Sequence, residues 1–255
     1  MNNSIPKIIH YCWFGENPFS DLEKKCIASW KEKMPDYEIV EWNETNFDVQ
    51  CCNYVKEAYE AKKWAFVSDY ARFKVLYENG GIYLDTDVEL LKPLTDILDR
   101  GNYMGCENYT KDEMKVNPGL GCATAAGNPF YKEMLDDYEQ SSFLNDDGTA
   151  NLYTVVERTT KLLTKYGLEN STDIQTINDI TIYPAEYFSP KGGVGGEIRI
   201  TDNTYSIHHY KASWVDKKSI KRGKIYGFIK RIFGENFANI MRRVFGRKNG
   251  QRKSD

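Results

Sequence analysis

The stretch Gly81-Ile-Tyr-Leu-Asp-Thr-Asp-Val88 decides how this chain is read. Ile82, Tyr83 and Leu84 form a short β-branched and aromatic run that reads as a buried strand, and its tip turns acidic at Asp85 and Asp87. In a strand, residues two apart point to the same side, so both carboxylates can face one ion. Two hard oxygen ligands leave room for water and phosphate oxygens, which suits Mg²⁺ or Mn²⁺. Strand ends are also where open α/β sheets place their ligands. The competing reading is two solvated acids in a turn, and the apolar strand before them weighs against it.

Immediately upstream, Ser68 to Asn79 carries Phe73, Leu76 and Tyr77 as an apolar stripe and ends at Gly80-Gly81, which predicts a helix feeding the acidic strand. Asp69 and Arg72 stand at i and i+3 near its start. They can share a face and bind hydroxyls or phosphate, or form an ordinary surface ion pair. Further out, Ile5 to Phe14 reads as a first strand, 20–33 as a helix stopped before Pro35, Tyr37 to Trp42 as a second strand and Val55 to Lys63 as a helix. Residues 102–126 read as two strands around a polar loop, 128–140 and 150–166 as helices. Ile180 to Tyr183, Glu197 to Thr201 and Thr204 to His209 read as strands around a glycine-rich loop at 191–196. Strands alternating with helices predict an α/β sheet with parallel strands.

Other residues belong with the acidic pair on chemical grounds. Trp13, just past the first strand, can stack on a nucleobase or pack in the core. Asn117-Pro-Gly-Leu-Gly121 offers an amide and glycines that let backbone approach a ligand, or a plain turn. His208 and His209 end a strand, and alternation lets at most one of them face a shared site as a third metal ligand.

The overall charge of −3 conceals an asymmetry. Residues 217–253 carry thirteen Lys or Arg and one acid, a net of +12, whereas residues 1–216 hold 21 basic and 35 acidic side chains, a net of −14. Ile225, Phe228, Ile229, Ile232 and Phe233 line one helical face of this tail; Phe237, Ile240, Met241, Val244 and Phe245 line another. Of the six cysteines none forms a C-x-x-C pair, so a structural zinc site is not expected and free thiols are. With no signal peptide at Met1–Lys7 and no spanning apolar stretch, the expected location is cytoplasmic, peripheral on the inner face of the membrane.

Four segments in this order, "IPKIIHYCWFGE" from Ile5, "CIASWKEKMPDYEIVEWNETNFD" from Cys26, "AFVSDYARFKVLYENGGIYLDTDVELLKPL" from Ala65 and "TYSIHHYKASW" from Thr204, resemble glycosyltransferase family 32. That family includes bacterial capsular-polysaccharide sugar transferases and yeast mannosyltransferases, and is related to the glucosyltransferase domain of large clostridial toxins. The resemblance spans roughly residues 5 to 214. It implies a GT-A fold with a mixed, mainly parallel sheet over residues 1–216, and leaves 217–255 outside as a basic amphipathic helical tail. It also implies a nucleotide-sugar donor, UDP-linked in the expected case, a divalent metal, retention of anomeric configuration and a glycan acceptor that a lipid could carry. By position, Asp69 and Arg72 would contact the donor sugar, Asp85 and Asp87 ribose and metal with Asp87 the more direct ligand, and Trp13 the base. Ser213 and Trp214 would reach the diphosphate. In the toxins a carboxylate completes the metal shell where this chain offers His208 or His209.

Two rival classes have sequence support. "YLDTDVEL" matches the apolar-D-x-D-apolar pattern of aspartyl-phosphate phosphatases, with Asp85 as nucleophile and Asp146-Asp147 as the later acidic pair. A non-catalytic sugar- or nucleic-acid-binding module would use the basic tail. That tail lacks a recognisable nucleic-acid fold, so no nucleic-acid partner is expected. Its charge and apolar stripes instead predict an in-plane anchor on anionic lipid, each basic residue contributing about 1 kcal/mol near the surface. The full chain should pellet with anionic vesicles and release in high salt, whereas a chain ending at Asp216 should stay in solution. Equal partitioning of the two would contradict the anchor.

Overall fold

The computed structural model describes residues 4–110, 113–190 and 197–211. The tail, Ser213, Trp214, the 191–196 loop and the expected boundary at 216/217 lie outside them. In chain order the elements are β1 (Ile8–Cys12), α1 (Asp21–Lys33), β2 (Glu38–Trp42), α2 (Asn53–Glu60), α3 (Trp64–Asn79), β3 (Gly81–Tyr83), β4 (Val88–Leu90) and α4 (Thr95–Leu98). They continue as β5 (Tyr103–Thr110), β6 (Glu113–Val116), a 3₁₀ turn at Pro118–Leu120, β7 (Cys122–Thr124) and α5 (Pro129–Glu139). The last are α6 (Val155–Lys165), β8 (Gln175–Ile177), β9 (Ile180–Tyr183), α7 (Ala185–Phe188) and β10 (Ser206–His208).

One sheet runs β2-β1-β3-β7-β5-β9-β8, with β6 added on β5. β2, β1 and β3 are mutually parallel and β9 is parallel to β5, while β7, β6 and β8 pair antiparallel. Five of the eight strands (β1, β2, β3, β5 and β9) therefore share a direction, the mixed, mainly parallel arrangement expected. β4 and β10 form a separate antiparallel ribbon. The central strands are apolar at nearly every position because both faces are covered. Alternation divides the core: Tyr83, Met104, Cys106, Cys122 and Ile182 pack beneath α2, α3, α5 and α6. Ile9, Tyr11, Ile82, Tyr103, Ala123 and Tyr183 face the opposite side with Trp30 of α1 and Phe188 of α7.

Several sequence expectations need correction. The acidic strand stops at Tyr83, and Asp85-Thr-Asp87 forms a turn closed by the Val88 amide donating to the Asp85 carbonyl at 3.0 Å. α3 begins at Trp64 and not Ser68, because Phe66 and Tyr70 extend the buried stripe of Phe73 backward at helical spacing. Residues 102–126 hold three strands, and β8 enters where none was expected. Glu197 to Thr201 is not a strand; Ile198 and Ile200 are exposed there, with no partner strand among the described residues to bury them. All six cysteines are free thiols, and no described helix is long and apolar enough to cross a membrane.

What the fold does for the site is deliver the 85–87 turn to the carboxyl ends of three parallel strands. Gly80 (φ 67°) ends α3 and Gly81 (φ 101°) starts β3, and a Cβ on Gly81 would lie 2.8 Å from the Ile8 carbonyl. Only glycine lets helix pass into strand there without a loop. Buried His10 accepts the Trp42 indole N–H at Nδ1 (3.0 Å) and faces the Gly80 carbonyl with Nε2 (2.9 Å), fixing that junction. Beyond the turn, the fully buried indole of Trp30 donates to the Val88 carbonyl at 2.7 Å.

Candidate active site

Asp85, Asp87 and His208 bring one ligand atom each to within 4.8 Å of one another. His208 comes from β10, whose pairing with β4 sets His208 opposite Val88 and carries the chain back over the turn. Its Nε2 lies 2.9 Å from Asp87 Oδ1 and 4.0 Å from Asp85 Oδ2. The Lys211 amide donates to Asp87 Oδ2 at 2.8 Å, and the His209 amide to the Asp87 carbonyl at 3.0 Å. Strand alternation sends the neighbouring ring elsewhere: His209 Nε2 meets Glu89 Oε2 at 2.9 Å. Of the two candidate histidines, at most one of which alternation lets face the site, His208 is the one in the cluster.

On the other flank Arg72 is 4% exposed, and its NH2 group reaches Asp69 Oδ1 at 2.9 Å and Asp85 Oδ1 at 3.2 Å. Its guanidinium lies 4.9 Å from the centre of the Tyr83 ring, and the Tyr83 hydroxyl donates to Asp85 Oδ1 at 3.1 Å. This is no surface pair: Asp69 is 13% exposed and Asp85 27%. Burial pushes the Asp69 carboxyl up to about 6 against the pull of Arg72. Burial likewise raises Asp85, with Arg72 and His208 opposing. Asp87 goes the other way, to about 2, because the charge and hydrogen bond of His208 and the Lys211 amide outweigh its burial. The same interaction holds His208 above its ordinary value despite burial. Three carboxylates against one guanidinium and one imidazole leave negative charge in a confined place, which a divalent cation would compensate. Two carboxylates with one imidazole is a donor set that a divalent ion could use.

Asn117 does not extend into this space. It is 8% exposed, its Nδ2 donates to Glu107 Oε2 at 2.7 Å, and its Oδ1 accepts the Gly119 amide at 2.8 Å. Its effect on the site passes through Gly119, whose carbonyl accepts the Asp85 amide. A Cβ on Gly119 would fall 2.1 Å from Asp85 Oδ2, so the bare backbone is what lets the carboxylate sit there. Trp13 stands one residue past β1, with its ring 4.5 Å from Phe19 and its indole N–H on the Asn17 carbonyl at 2.6 Å. Asp146 and Asp147 are exposed, and Asp147 is tied to the Thr149 amide at 2.9 Å, so neither joins the cluster as the phosphatase reading requires. Tyr83 and Glu107 escaped the sequence reading, whereas the 117–121 glycines did not: Gly119 is the close backbone approach, made to Asp85. Glu107, an acid inside the apolar strand "YMGCE", was the one with a visible signal.

Residues 20–104 match the family described as glycosyltransferase sugar-binding region containing DXD motif. The chain is 29% identical over 151 residues to inositol phosphoceramide mannosyltransferase 3 of Schizosaccharomyces pombe, covering 55% of this chain and 39% of that protein. It is 27% identical over 195 residues to the uncharacterized glycosyltransferase L373 of Acanthamoeba polyphaga mimivirus, covering 73% of each. A solved structure of PaToxG glycosyltransferase superposes with a TM-score of 0.48 at 20% identity, over 64% of this chain and 70% of that one. These matches agree with the family resemblance: the chain is similar to DXD-containing glycosyltransferases, and it spans 39% of the length of the fission-yeast relative.

Arg72 is the cation that both Asp69 and Asp85 depend on, and removing one partner of a buried ion pair costs roughly 3–5 kcal/mol. Arg72→Leu should therefore lower the urea midpoint by that equivalent. A variant within about 1 kcal/mol of wild type would show that the pair contributes no more than an exposed one.

Proposed function

We propose that this protein transfers a hexose or N-acetylhexosamine from a nucleotide-sugar donor, UDP-linked, to a glycan acceptor, with retention of configuration and with a divalent ion. The observation that carries this reading is the convergence of Asp85, Asp87 and His208 at the carboxyl end of the parallel strands, beside the buried Asp69–Arg72 pair. Those three side chains would hold Mn²⁺ or Mg²⁺. When bound, the ion supplies Lewis-acid stabilisation of the charge that develops on the departing diphosphate.

The protein's own contribution is position. Arg72 fixes Asp85 from one side and Tyr83 from another, so the carboxylate meets the donor already oriented. Asp69 keeps a partly exposed carboxylate beside Arg72, suited to accept a hydroxyl of the transferred sugar. Ser213 and Trp214, which follow Lys211, would reach the diphosphate, and Trp13 the base. Within the described cluster no carboxylate stands free as a nucleophile, because Asp69 and Asp85 share Arg72 and Asp87 is held by His208. Attack by the acceptor on the face from which the diphosphate departs is accordingly the proposed course.

The acceptor is proposed to be lipid-borne, in capsular or other cell-surface polysaccharide synthesis. The fission-yeast relative is named for a mannosyl transfer to inositol phosphoceramide. The +12 charge of residues 217–253 would hold the enzyme at an anionic membrane on its cytoplasmic side.

Slow donor hydrolysis without acceptor gives the direct assay. A panel of UDP- and GDP-sugars with Mn²⁺ should release nucleotide from at least one UDP-sugar. EDTA should abolish the release, and Asp87→Asn should remove it while the circular dichroism spectrum stays unchanged. Full turnover in EDTA, or an active Asp87→Asn, would sink the reading.

A further inference from the structure

Behind the proposed metal ligands lies a second polar group that the transfer reaction does not use. Glu107, at 2% exposure on β5, accepts the Asn117 amide at Oε2 (2.7 Å) and the Tyr210 hydroxyl at the same oxygen (2.9 Å). Its other oxygen, Oε1, is buried with no hydrogen-bond partner among the described residues. His208 is 7% exposed, and its Nδ1 is likewise buried without a partner among them. Tyr210 links the two: its hydroxyl holds Glu107, and its ring lies 4.1 Å from the His208 ring. Glu107 is close enough for its charge to act on His208. A buried acceptor and a buried ring nitrogen, each orphaned, therefore flank the same tyrosine. Buried polar atoms in native proteins are almost always paired, so a complementary pair of orphans points to a bond made in another state.

An imidazole that ligates a cation through Nε2 must carry its proton on Nδ1, and such a proton ordinarily goes to a carboxylate, carbonyl or water. We propose that Glu107 Oε1 accepts the Nδ1 proton of His208 when a divalent ion is bound, directly or through one water, making Glu107 a positioning residue for the third ligand. The proposal rests on the reading that Asp85, Asp87 and His208 bind such an ion. It also accounts for Asn117 and Tyr210, which by occupying Oε2 leave Oε1 available to the histidine.

Glu107→Gln tests this because it keeps the shape and reverses the polarity. If the amide oxygen stays where Asn117 and Tyr210 need an acceptor, the NH₂ group faces Nδ1 and meets a donor with a donor. Mn²⁺ affinity, followed by electron paramagnetic resonance on the full chain, should fall about 10- to 100-fold, the range for loss of a partner behind a ligand. Nitrogen NMR of the Mg²⁺-loaded protein should show a slowly exchanging Nδ1 proton on His208 in wild type and lose it in Glu107→Gln. Unchanged affinity and unchanged Nδ1 exchange in a folded Glu107→Gln, with His208→Ala weakened, would overturn the role of Glu107 alone. If His208→Ala also binds Mn²⁺ as wild type does, the metal site itself fails, and this proposal with it. If Glu107→Gln does not fold, a crystal structure of the Mn²⁺-loaded wild type decides. Oε1 within about 3.2 Å of Nδ1, or bridged by a water, upholds the bond, and a longer unbridged separation overturns it.

Discussion

The guanidinium of Arg72 is the contact on which the rest of the site depends. It sits almost without solvent between Asp69 on its own helix and Asp85 on the turn after β3. An isolated carboxylate in such surroundings would be driven neutral by the cost of burying its charge. Arg72 opposes that drive at both acids, which is what keeps an anionic ligand set in a water-poor cleft. Yet one cation for two acids, with Asp87 as a third, leaves the group anionic. The same arrangement that stabilises the acids therefore leaves a negative group of the kind that a divalent ion would neutralise.

Holding charges this close demands that the turn carrying them cannot move. Its two ends are pinned through His10 at the Gly80 junction and through Trp30 at Val88. A third restraint comes from the 3₁₀ turn, where Gly119 both accepts the Asp85 amide and makes room for its carboxylate. The fourth is the returning strand β10 and the residues after it, which cover Asp87 with His208, the His209 amide and the Lys211 amide. Lys211 then anchors on buried Glu23 at the start of α1, so the strap is fastened at both ends.

Much of this was legible in the sequence, for definable reasons. The α3–β3 junction announces itself by a helical stripe, two glycines and an apolar run, and the acids follow at fixed spacing. Geometry inside the junction was less legible. The two carboxylates converge because a turn folds them together, although strand alternation would have predicted the same meeting on different grounds. The choice between His208 and His209 needed the register of β10 on β4, a long-range pairing that local pattern cannot supply. Asn117 looked like a ligand because a short amide beside glycines suits one, but its hydrogen bonds turn inward. Tyr83 was hidden by its setting, since a tyrosine in an apolar strand reads as core; Glu107 stood out as an acid in such a strand, but local pattern does not show what it faces across the sheet.

The central claim is that Asp85, Asp87 and His208 act as one ligand set. Counting Mn²⁺ ions by electron paramagnetic resonance, in wild type and in His208→Ala and His209→Ala chains, addresses it most directly. One ion per chain is predicted, bound at least about tenfold more weakly after His208→Ala and as in wild type after His209→Ala. No ordered ion in wild type, or equal losses from the two histidine changes, would contradict the account.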